Sequence, residues 1–135
     1  AEGIVFGVVV FVFGILVMFN AWAVIDAKMA ASSAARETAR TYVESDGSTA
    51  AATAAGIAAF SATSSFDPGG LSAPGFSGEF RRCGRVEVTY TYTVPAISLP
   101  GGFGWGRGFE VSATHSELVD PFRSGLEGEA VCDAP

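Results

Sequence analysis

The sequence predicts an α+β protein: a long N-terminal α-helix, half membrane-crossing and half amphipathic, then a short second helix and a small antiparallel β head. Three observations predict it. Residues 3 to 25 carry no charged side chain. Alanines then recur at helical spacing from Ala23 to Ala39, in a helical pattern that runs to residue 44. Two later segments, 85–94 and 109–116, alternate with period two.

The apolar run comes first. Gly3 to Ile25 is 23 residues of mostly Val, Phe, Ile, Leu, Met and Gly, with Asn20 its one strongly polar side chain. A hydrocarbon core of about 30 Å needs roughly 20 such residues, whereas the apolar core of a signal peptide is about 7–15 and ends at a cleavage site. Lipid requires every backbone group to bond internally, so the run reads as helix despite its Val and Ile. The helix continues through AVIDAKMAASSAARETARTYVE, residues 23–44. There Ala23, Ala27, Ala30, Ala31, Ala34, Ala35 and Ala39 form a small-residue seam of the kind that lets helices approach closely. Polar residues occupy the other face, from Asp26 and Lys28 to Arg40 and Glu44. About 42 residues at 1.5 Å each make a rod of roughly 60 Å, twice the bilayer core, so its second half lies outside.

Gly47 ends this helix and Ser48 starts another over 48–60, with Ile57 and Phe60 as its large anchors. Residues 61–82, rich in Pro and Gly, read as loop. In the segment 85–94, Val86, Val88, Tyr90, Tyr92 and Val94 share one face, and Glu87, Thr89, Thr91 and Thr93 the other. Residues 109–116 should pair with it antiparallel, and both strands should lie against the long helix, because a two-stranded ribbon alone is marginal. Residues 117–135 read as an irregular tail. The domain division is 1–45 for the helix and 46–135 for the head.

Composition excludes some functions. Eight Lys and Arg against fourteen Asp and Glu give a net charge of −6, the wrong sign for a nucleic-acid surface. His115 is the one histidine and reads as a strand-end residue facing solvent; a zinc site takes three or four protein ligands, so neither a metal nor another cofactor is expected. PGGFGWGRG at 100–108 opens a strand rather than a helix, so it is no dinucleotide loop. No nucleophile-and-base arrangement is present, and the chain is not expected to be an enzyme.

Four features point to partners. Cys83 and Cys132 are an even pair in a small Gly-rich domain, which suits an oxidising exterior; two buried free thiols are the alternative. Lys28, Arg36 and Arg40 follow the span and would hold the head inside by the positive-inside rule. The outside reading requires a basic leader, in keeping with a chain that starts at Ala1. Phe103, Trp105 and Phe109, among glycines, either contact a partner or fold back over the core. Glu2, just before the apolar run, either pairs with a neighbouring copy or sits at headgroup level on the positive end of the helix dipole.

An acid at the start of an apolar helix, AASSAARETAR at 30–40, CGRVEVTYTYTVPAISLPG at 83–101 and EVSATHSELVDPFRSG at 110–125 occur in that order. This order resembles the TadE-like pseudopilins of tight-adherence, Flp-type pili, and the likeness covers all but 46–82 and the last ten residues. The resemblance implies a pilin-like fold, cleavage by a prepilin peptidase, storage in the cytoplasmic membrane, and transfer by assembly machinery into a surface filament. It implies that Glu2 is the family's assembly acid and that Cys83 and Cys132 stabilise the head.

The expected function is that of a structural subunit that polymerises with copies of itself, for adhesion. Glu2, Phe6, Val10 and Phe13 would carry assembly, continued by Ala27, Ala31, Ala34 and Ala35, so that Ala34→Glu stops assembly without unfolding the head. A minor or priming pseudopilin and a membrane-anchored extracellular binding domain are the alternatives.

Overall fold

The computed structural model describes residues 2–97, 106–128 and 131–132. Helix α1 runs unbroken over Glu2–Glu44 and α2 over Thr49–Thr63. A short 3₁₀ turn at Pro68–Gly70 leads to three strands, β1 (Gly75–Gly78), β2 (Arg85–Val94) and β3 (Phe109–Leu118). They form one antiparallel sheet in the order β1-β2-β3. The α+β layout predicted above is the observed one.

The join between the helices has a physical basis at each residue. Asp46 and Gly47 both adopt positive φ, at 56° and 78°, and the Gly47 N–H reaches back to the Tyr42 carbonyl at 2.9 Å. This is the left-handed helix stop that Gly favours. The Ser48 side chain accepts from Ala51 N–H and caps α2. Two carbonyls left over at the end of α1, those of Val43 and Glu44, are taken by the Arg123 guanidinium, which also bonds Asp46 at 2.6 Å and lies over the Phe80 ring. The segment read as an irregular tail is thus a cap for the long helix. The disulfide between Cys83 and Cys132 ties it down a second time.

The core lies where α1, α2 and the sheet meet. Ala27, Ala30, Ala34, Ala35 and Ala39 of α1 pack with Phe60 of α2 and with Val88, Tyr90, Tyr92 and Val94 of β2. The face of β2 assigned from its alternation is the buried one. Helix α2 presents Ala52, Gly56 and Phe60, one residue per turn. Ile57, expected to be an anchor, is 42% exposed, because the close approach of the helices is made at Gly56, one position away. At that crossing the Thr38 and Tyr90 hydroxyls hydrogen-bond at 2.9 Å, both fully buried.

Two other expectations change. The loop at 61–82 contains β1, whose residues pair Gly75 with Thr89 and Gly78 with Val86; a four-residue strand with two glycines leaves no alternation to read. His115, expected to face solvent, lies on the β3 face that carries Val111 and Ala113, half-buried, with Nε2 at 3.3 Å from Glu117.

Burial holds the Tyr90 hydroxyl above its ordinary 10.0, against the opposing effect of its bond with Thr38. Tyr92 is raised for the same reason, reinforced by Asp67. Because the folded chain holds these protons more tightly, stability is complete below about pH 10 and falls as pH rises through the folded values. In detergent solution the denaturant midpoint should be flat up to about pH 9.5 and then drop, less steeply in Tyr90→Phe. An identical slope in that variant would remove Tyr90 from the account.

Candidate membrane and assembly surface

The functional surface follows from where α1 leaves this core. Residues 2–14 touch none of it closely enough to be covered; all are exposed. Phe6 is 71% exposed, Val10 53% and Phe13 58%. The helix is long and apolar enough to cross a membrane, and its most apolar eighteen-residue window is only 11% buried. A core helix of a soluble protein has the opposite profile, since burying one Phe or Val is worth about 1.5–3 kcal/mol. Glu2 stands in the first turn, where a carboxylate suits the positive end of the helix dipole.

The first covered positions are Leu16 and Asn20. Asn20 is only 3% exposed, and its amide is fully used. Its Nδ2 donates to the Leu16 carbonyl at 2.8 Å and to the Ile97 carbonyl at 3.0 Å, while its Oδ1 accepts from Ile97 N–H at 2.9 Å. The chain just past β2 is thereby clasped to the helix by a two-way amide-to-peptide pair. The lone polar side chain in the apolar run was the available signal; its partner lies 77 residues away in sequence, which no local pattern reports.

Beyond Asn20 the helix has two unlike faces. Ala27, Ala31, Ala34 and Ala35, expected to meet a neighbouring subunit, are each 0% exposed within a single chain. That assignment is corrected for these four: their small side chains admit α2 and the sheet, and none of the four keeps surface for a second copy. The outward face carries Met18, Trp22, Ile25 and Met29, spaced by three and four residues and 62%, 73%, 56% and 59% exposed. An apolar stripe therefore extends past the span on the face away from the alanines. Lys28 flanks it and donates to the Ser112 carbonyl of β3.

No family model, curated protein or solved structure matches this chain.

The remaining candidates fall as follows. Cys83 and Cys132 are bonded to each other, so the two-thiol alternative is removed. Phe103 and Trp105 lie outside the described residues. Phe109 is half-buried at the start of β3 and packs on the main core cluster, the second of its two readings. Among the described residues no group of three His, Cys, Asp or Glu could hold a metal ion.

Proposed function

We propose that this chain is a membrane-anchored structural subunit that polymerises through its N-terminal helix into a type IV-like, tight-adherence surface filament, in which the head faces outward for attachment. The observation that carries the proposal is a continuous helix with two environments. Its first half is a bare apolar rod, and its second half is the backbone of a folded head. Such a rod has two stable surroundings, lipid before assembly and the rods of other copies after it.

The contact surface differs from the alanine seam. Phe6, Val10 and Phe13 supply it along the span, and Met18, Trp22, Ile25 and Met29 continue it beside the head, all exposed in the single chain. The half-buried disulfide between Cys83 and Cys132 and the Arg123 cap make the head self-contained, so that copies can dock without refolding it. Processing by a prepilin peptidase, handling by assembly machinery and an extracellular address belong to the same proposal.

The test is Val10→Arg, examined in sheared surface material by electron microscopy and in the membrane fraction by immunoblot. A central arginine costs about 2.5–3.5 kcal/mol on insertion scales, so filaments should disappear while the head keeps its disulfide and its denaturant midpoint. A native chain that is monomeric in detergent-free buffer would end the proposal.

A further inference from the structure

The geometry points to a binding site for the ammonium headgroup of a zwitterionic phospholipid in the cleft where α1 leaves the bilayer. The inference rests on the membrane reading above and adds a ligand to it. The cleft measures about 550 Å³ and lies between α1, the end of α2 and the chain after β2. Phe19, Trp22, Phe66 and Ile97 are its large apolar walls, and Thr63, Ser65 and Asp26 its polar ones, with Asp26 the acid.

Three observations select the occupant. First, depth: Asp26 is the first charged residue after Glu2, and the helix between them rises by about 36 Å. That places the carboxylate just past a hydrocarbon core of about 30 Å, at the level where headgroups lie and where Trp is favoured. Second, charge: Asp26 Oδ2 accepts from the Ser64 hydroxyl at 2.9 Å. Yet among the described residues no basic side chain comes within 4.0 Å of its carboxylate. A half-buried carboxylate whose one recorded partner is a neutral hydroxyl favours a cation over an anion as its next neighbour. Third, shape: aromatic faces beside a carboxylate are the arrangement that holds alkylammonium groups, through the ring quadrupole and the full charge together. The Asn20–Ile97 clasp fixes one wall, so the cleft exists before lipid enters. A phosphatidylglycerol headgroup has no cation to offer and should be a poor ligand.

The full-length chain is reconstituted into bilayers of equal phosphatidylethanolamine and phosphatidylglycerol, released into mild detergent and weighed by native mass spectrometry for retained lipid. Phosphatidylethanolamine should be retained about tenfold over phosphatidylglycerol. Asp26→Asn can still accept from Ser64, so it keeps that bond and should lose most of the preference without a change in circular dichroism or denaturant midpoint. Trp22→Leu gives the same readout through the aromatic wall alone. Equal retention of the two lipids, or an unchanged preference in both variants, overturns the site while leaving the anchor intact. A chain that never enters the bilayer overturns both readings, and membrane flotation before extraction distinguishes that case.

Discussion

Ala34→Glu unfolds the head. Ala34 has no exposed surface and belongs to the cluster formed by Phe60, Val88, Tyr90 and Tyr92. A glutamate there places four extra heavy atoms and a charge against α2, with no described cation in the cluster to receive it. Overpacking costs about 1–3 kcal/mol, and an unpaired buried charge about 3–5 kcal/mol. Together they rival the whole stability of a small domain, about 5–15 kcal/mol. Denaturant unfolding of the detergent-solubilised variant should show no cooperative transition. A native midpoint combined with lost filaments would return the alanines to a role between subunits. The contrast with Val10→Arg is diagnostic, since that change strikes the exposed rod and leaves the head alone.

Gly56→Ala destabilises the head by about 2–4 kcal/mol, although alanine is the better helix former by about 1 kcal/mol. A Cβ at Gly56 would lie 2.0 Å from the Thr38 hydroxyl, 2.7 Å from the Tyr90 hydroxyl and 3.2 Å from the Ala34 carbonyl. Something must move, and whatever moves separates the buried Thr38–Tyr90 bond. Leaving two hydroxyls unsatisfied in the core adds about 1–3 kcal/mol to the steric cost. Gly14→Ala is the control, since a Cβ there meets nothing within 4 Å. The expected result is a lowered midpoint for Gly56→Ala and none for Gly14→Ala. Equal midpoints would mean that the helices do not cross at Gly56.

These two variants also mark where sequence reasoning succeeded and where it stopped. The alanine repeat located α1 and the alternation of Val86 to Val94 located β2 to the residue, because spacing along one element is a local property. The same repeat was assigned the wrong neighbour. A stripe of small side chains states that something comes close, and α2 of the same chain satisfies that as well as a second copy does. Ile57 reads as an anchor for a related reason: size suggests burial, but a helix crossing this tight, made at Gly56, requires the absence of a side chain. The four-residue β1 could not be read, since its pairing with β2 is what makes it a strand.

The candidate surface divides in the same way. Phe6, Val10 and Phe13 were legible as lipid-facing or subunit-facing because they lie in 23 residues without a charge, the length a bilayer core requires. The Met18–Trp22–Ile25–Met29 stripe became visible only once the alanine face was occupied, for an outward face is defined by what fills the inward one. Arg123 and Ile97 contact α1 from 80 and 77 residues away, and neither contact leaves a trace in local composition.

Composition and periodicity alone determined that this protein has a lipid-compatible rod, two long antiparallel strands in its head, and a net charge of −6. These follow from hydrophobic length and side-chain alternation, which are written along the chain. The tertiary structure decided which helix face is free, how Asn20 is satisfied, and that the Asp26 carboxylate lies half-buried beside the Ser64 hydroxyl. Those depend on distances between residues remote in sequence, and such distances exist only after the core has closed.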